Sequence, residues 1–145
     1  QNPIDRRFHA QPNACPDCGP QLQLTDATGE NVVTNNIIEK TASLLKQGKI
    51  IAIKGIGGFH LACLASIESA VVTLRQRKHR KHKPFALMAR DVSIVKQYCL
   101  VSDQEEYLLT DRVSPIVLLT KANDLLATQV APKQKSLGFM LPYSP

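Results

Sequence analysis

At 145 residues, 43% of them hydrophobic, the chain can bury one core but not two, and no apolar run approaches the roughly 20 residues of a membrane span. No membrane partner is therefore expected, and with a polar, proline-rich start that has no signal-peptide core the cytoplasm is the expected compartment. The net charge of +6 sits in one segment: Arg75 to Arg90 holds seven basic residues and no acid, while the other 129 residues carry 11 basic against 12 acidic, a net of −1, so a localised anion is favoured over a nucleic-acid duplex.

Residues 1–34 show little helical or strand periodicity and hold Pro3, Pro12, Pro16 and Pro20, so they need a staple to be ordered. From Asn35 the pattern changes. An Asn pair that can cap precedes Ile37, Ile38, Ala42, Leu44 and Leu45, and Gly48 follows, which predicts an amphipathic helix with a start and a stop. Lys49 to Lys54 reads as a short buried strand, ended by Gly55-Ile56-Gly57-Gly58, and Phe59 to Cys63 is a second apolar run. Ser66 can cap a helix with Ala70, Val71 and Leu74 on one face. That helix runs into the basic segment. Phe85 to Ala89 reads as a strand, Asp91 as the cap of a short helix through Val95, and Ser102-Asp103-Gln104-Glu105 as a capping box. Pro115 to Thr120 reads as a strand with Pro at its first position, where no ladder donor is lost. Strands alternating with helices predict an α/β fold around a sheet that need not be all parallel. Gln1 is not Met, and Gly138 to Tyr143 still reads as structured sequence near the last residue, so both ends are read as cuts.

Three segments carry chemistry. Cys15 and Cys18 in Cys-Pro-Asp-Cys-Gly can reach one tetrahedral Zn²⁺, with Gly19 permitting the knuckle. A redox pair is the competing reading and lacks the strand-to-helix setting of such motifs. Two thiolates are half a site, so the other ligands are expected upstream, with His9 a weaker candidate. Cys63 and Cys99 lie in apolar runs and read as small buried hydrophobes. The second segment, Lys54-Gly55-Ile56-Gly57-Gly58-Phe59-His60, lets backbone approach a ligand, but it matches neither phosphate-loop nor dinucleotide patterns, and a plain strand-to-strand turn is an equal reading. The third runs from Leu74 to Phe85. It is open to three readings: an anion site, an exposed helix end whose cations suit the dipole, or a nucleic-acid patch. With Phe85 the single aromatic beside it, base stacking is poorly supported.

In order along the chain, these segments resemble the HypF-type carbamoyltransferases of hydrogenase maturation. Pro3 to Pro12 with Cys15 to Pro20 is similar to the second half of that family's second zinc finger. Lys54 to Cys63, Lys78-x-Arg80 with Lys83-Pro84-Phe85-Ala86, Ser114 to Leu119, and Leu137 to Tyr143 are similar to its YrdC-like domain. The resemblance implies the C-terminal half of a zinc-finger module over residues 1–34 and the N-terminal part of a YrdC-like, twisted mixed-sheet nucleotide-binding domain over 35–145. Two positions depart from the family pattern. Leu64 stands where an Asp is usual, which puts that Asp's role in doubt here, and Arg80-Lys81 stands where Arg-Pro is usual, which keeps the charge and relaxes the backbone.

The resemblance also implies an activity. Carbamate derived from carbamoyl phosphate is joined to ATP, with Mg²⁺, as carbamoyl-adenylate for the cyanide ligands of [NiFe]-hydrogenase, and the carbamoyl group passes to a partner protein's C-terminal cysteine. Lys78, Arg80 and Lys83 are the expected phosphate-binding residues. Lys54, Gly57, Gly58, Phe59 and His60 are expected to wall the substrate pocket, and Cys15 and Cys18 to hold structural zinc. The family's later Ser/Asn phosphate loop is absent, so this chain alone is not expected to turn over. Two alternatives stay open: an RNA-binding YrdC-like module, and threonylcarbamoyl-adenylate synthesis for tRNA modification, against which the finger remnant argues.

Overall fold

In a computed structural model, the structure describes residues 17, 19, 21–55 and 57–143. The chain divides into two units, residues 1–44 and 45–144. In the first, a carboxylate organises the turn between residues 25 and 31. Asp26 Oδ1 accepts from Thr28 N at 2.8 Å, Thr28 Oγ1 at 2.6 Å and Glu30 N at 3.1 Å, while Gly29 takes φ +92°. This turn brings Thr25 and Asn31 together as a β-bridge, and Val32 N donates to Leu24 O at 2.9 Å. The Thr28 hydroxyl, ahead of the backbone donors, lowers the Asp26 carboxyl below its usual range.

Helix α1 (Ile37–Lys46) opens as its sequence indicates: Asn36 Oδ1 accepts from Glu39 N at 3.1 Å. In the second unit Gly48, at φ +78°, stops the chain after α1 and donates to Leu45 O. Strands β1 (Ile51–Gly55) and β2 (Gly58–Ala62) then form an antiparallel hairpin with Gly55 opposite Gly58. The expectation of a buried strand here is corrected. Ile53, Phe59 and Leu61 are all exposed, because the described chain lays no layer over either face of this ribbon.

Helix α2 (Glu68–Arg77) buries Ala70, Val71 and Leu74, the stripe its spacing predicts. Its cap differs from the expected Ser66. The N-cap is Ile67, with no side-chain bond, and the Glu68 carboxylate instead accepts from Thr128 N (2.7 Å) and Thr128 Oγ1 (3.0 Å). The three-stranded sheet joins β3 (Ala86–Met88), β4 (Val117–Thr120) and β5 (Ser136–Met140) in the order β3-β5-β4. The β3–β5 pair is parallel and the β4–β5 pair antiparallel. Period-two alternation puts Leu87, Val117, Leu119, Leu137 and Phe139 on one face. There they bury together with Val71 from α2 and with Val95, Cys99 and Leu109. Val95 belongs to the short helix α3 (Val92–Val95), capped by Asp91 through Ile94 N, and Leu109 to α4 (Asp103–Leu109), opened by the Ser102–Glu105 capping box. Cys99 is buried as expected, and burial raises its thiol to about 11; Cys63 is only partly buried. A 3₁₀ turn, Thr128–Val130, leads toward β5.

Candidate functional site

The glycine segment is a hairpin tip, so its strand-to-strand geometry is the plain one. Alternation across β1 and β2 sorts the expected pocket residues. Lys54 lies opposite Phe59 on one face, whereas Gly58 and His60 lie with Gly55 on the other, and Gly57 is exposed between the strands. One flat wall therefore cannot present all five. A second group appears on the His60 face. A Cβ added at Gly55 would sit 3.1 Å from His60 Cδ2, 3.2 Å from His60 Nε2 and 3.2 Å from the Tyr143 hydroxyl. Gly55 thus lets an imidazole and a phenol close over one strand position. The local sequence gives Tyr143 no role, and the fold brings it to the hairpin.

The basic segment is built on two guanidiniums and one ring. Arg75, in the last turn of α2, is 7% exposed. Its Nε donates to Gln129 O (3.0 Å), Nη1 to Arg80 O (2.8 Å) and Lys83 O (3.2 Å), and Nη2 to Gln129 O (2.5 Å) and Val130 O (3.4 Å). Arg80 donates through Nε to Lys83 O (3.0 Å) and through Nη2 to Pro84 O (2.6 Å). Both guanidiniums stand over the Phe85 ring, at 4.7 Å and 4.9 Å from its centroid. Desolvation, and then the neighbouring Arg80 charge, lowers the Arg75 pKa.

Of the seven cations read as one cluster, Arg75 is therefore a buried scaffold. Lys78 caps α2 and is exposed, His79 follows at φ +49°, and Lys81, His82 and Lys83 are exposed. Among the described residues the ion pairs are Arg90–Asp91 and Lys96–Glu106, so Lys54, Lys78, Lys81 and Lys83 have no carboxylate partner there. Arg80 is half-buried and divides its guanidinium. Nε and one Nη2 hydrogen are committed to the loop, while Nη1 has no protein acceptor among the described residues.

Cys15 and Cys18 lie outside the described residues, and among the described residues no group of three or more His, Cys, Asp or Glu could hold a metal ion. A concavity of about 250 Å³ opens elsewhere, between Lys121, Leu126, Thr128, Lys133 and Leu137, and shares none of the expected site residues. No described helix is long and apolar enough to cross a membrane.

A family model for Sua5/YciO/YrdC (telomere recombination) matches residues 43–145, and one for the HypF finger matches residues 1–25. The chain is 48% identical, over all 145 residues, to the carbamoyltransferase HypF of Rhodobacter capsulatus. The chain belongs to the Sua5/YciO/YrdC family in its HypF-type form. It covers 19% of that HypF relative, so it spans about a fifth of the relative's length. A crystal structure of full-length HypF in a phosphate- and nucleotide-bound form has 52% identity and a TM-score of 0.81, over 99% of this chain and 19% of that one. The crystal structure of T. kodakarensis HypF has 43% identity and a TM-score of 0.85 over the same shares. The finger match covers Cys15 and Cys18, and the YrdC match covers the hairpin, α2, the basic loop and the mixed sheet.

Proposed function

We propose that this chain contributes the adenylating part of a carbamoyltransferase. Carbamate, released from carbamoyl phosphate, attacks the α-phosphorus of ATP. The new bond joins a carbamate oxygen to that phosphorus, the bond to the bridging oxygen breaks, and pyrophosphate leaves with its electron pair. The observation that carries this reading is identity to a carbamoyltransferase HypF along the whole chain, 48% over 145 residues. A HypF crystal structure described as phosphate- and nucleotide-bound supports the ligand class.

The chain's own chemistry supports it too. Adenylation needs fixed positive charge at the attacked phosphoryl group and the departing pyrophosphate, more than it needs side-chain acid–base work. Lys78 and Lys83 carry charge that no carboxylate takes up among the described residues, and Arg80 keeps Nη1 for a phosphate oxygen. Lys54 with Phe59, or Gly58 with His60, offers a face for carbamate; the two pairs cannot share one wall, and we assign carbamate to the His60 face, where Tyr143 joins. ATP would bring Mg²⁺ as its own counter-ion. In this reading the finger residues Cys15 and Cys18 hold structural zinc with ligands from the longer protein, which works in the cytoplasm and hands the carbamoyl group to a hydrogenase-maturation partner's C-terminal cysteine.

RNA binding fits less well, since both guanidiniums cover the Phe85 ring that a base would need. Threonylcarbamoyl-adenylate synthesis is disfavoured by the finger match at residues 1–25. Equilibrium ATP binding to the full-length protein tests the assignment. Lys78→Ala with Arg80→Ala weakens it strongly if the loop meets phosphate, and unchanged affinity rejects the loop. A salt dependence as steep as that of a many-phosphate contact would favour RNA instead.

A further inference from the structure

Resting on the phosphate-loop reading above, we infer that Arg75 is the positioning residue of that loop, a buried cation that aims Lys78, Arg80 and Lys83 without touching nucleotide itself. An arginine has five N–H donors, and Arg75 makes five hydrogen bonds, all to main-chain carbonyls. No donor is left for a phosphate. Two of those bonds reach Arg80 O and Lys83 O, so the side chain gathers the loop's carbonyls inward. The others reach Gln129 O and Val130 O, and Phe85 N also donates to Val130 O at 2.9 Å, so the same guanidinium ties the loop to the 3₁₀ turn before β5.

With the carbonyls of Arg80, Lys83 and Pro84 turned toward Arg75 and Arg80, the side chains of Lys78, Lys81 and Lys83 are left exposed. The Phe85 ring stands 4.7 Å and 4.9 Å from the two guanidiniums, so one side chain carries both. Two cations held over one ring, with no carboxylate beside them among the described residues, leave a positive potential that carbonyl dipoles offset only in part. An arriving polyphosphate completes the compensation. A lysine at position 75 would keep the charge but could not make five bonds in a plane.

The test uses the full-length protein, with ATP and adenosine as separate probes. Arg75→Lys is expected to weaken ATP binding about tenfold or more, the loss of charge-assisted bonds that hold the loop, while adenosine, which carries no phosphate, binds as before. Phe85→Leu keeps an apolar group at the core edge and removes the ring; it is expected to act in the same direction, and it decides the matter if Arg75→Lys fails to fold. Equal losses for ATP and adenosine would overturn the inference, because a general destabilisation strikes both. So would unchanged ATP binding in a folded Arg75→Lys or in Phe85→Leu when Lys78→Ala with Lys83→Ala weakens it. If that lysine pair itself has no effect on ATP, the phosphate-loop reading has failed, which is a separate result.

Discussion

The three glycines at the hairpin tip respond differently to one methyl group, and the differences come from their geometry. Gly58 sits at φ +132° with nothing within 4 Å of a new Cβ, so Gly58→Ala meets no neighbour but strains the backbone by about 1–3 kcal/mol. Gly57 also has open space and does not take a positive φ, so Gly57→Ala is expected to leave the hairpin within about 0.5 kcal/mol of the parent. Gly55→Ala is unstrained in the backbone but brings its Cβ to 3.1 Å from His60 Cδ2 and 3.2 Å from the Tyr143 hydroxyl. Both of those side chains are exposed and can move, so stability changes little while the imidazole and phenol are displaced. Amide hydrogen exchange across residues 51–62 reads this directly. Since about 1.4 kcal/mol is tenfold in an opening equilibrium, Gly58→Ala should speed exchange by roughly 5- to 140-fold, and Gly57→Ala and Gly55→Ala by far less. Equal exchange rates for the alanine variants at 57 and 58 would show that backbone conformation at Gly58 carries no strain, because conformation is the only difference invoked between them.

Removing the Ser102 hydroxyl deletes the side-chain acceptor for Glu105 N and the partner of Glu105 Oε2, so Ser102→Ala should cost about 1 kcal/mol in chemical unfolding, and the Glu105 carboxyl should titrate closer to its ordinary range. The Asp91 carboxyl is held at about 2 by the Ser93 hydroxyl first, then by the Arg90 guanidinium and Ile94 N–H. Being depressed in the fold, it contributes stability above the unfolded carboxylate range near 4 that is lost as pH falls through about 2; Asp91→Asn should abolish that part of the acid-unfolding profile, and an unaltered profile would contradict the assignment. Metal analysis of the full-length protein should find zinc that falls by about one equivalent when Cys15 and Cys18 are both replaced by Ser, and no change would remove the finger reading.

Local chemistry was legible in the sequence where a side chain acts within its own turn. Asn36, Asp91 and Ser102 cap the helices their positions indicate, and Gly48 stops α1, because each needs only neighbours three or four residues away. What tertiary packing decides was not legible. The apolar run Ile50 to Ile53 has no alternation to reveal its exposure, and burial depends on what packs over it. The central strand β5 reads from the sequence as structured and as similar to a family segment, but not as a strand. Its Gly138 breaks the strand pattern, and its position between β3 and β4 joins residues far apart in the chain. In the basic segment, sequence gives charge but not direction. Arg75 and Lys78 stand three residues apart, yet one is buried under five carbonyl bonds and the other is exposed. A single aromatic directly after a cationic run was the available signal, and it marks the plate on which two of those cations stack.

In the proposed function the loop from Lys78 to Lys83 serves nucleotide phosphates during adenylation. The most direct measurement is pyrophosphate released by the full-length protein from ATP in the presence of carbamoyl phosphate, followed alongside inorganic phosphate. Lys78→Ala with Arg80→Ala is predicted to suppress pyrophosphate while phosphate release from carbamoyl phosphate continues. Pyrophosphate formed by that variant at the parent's rate would contradict the account.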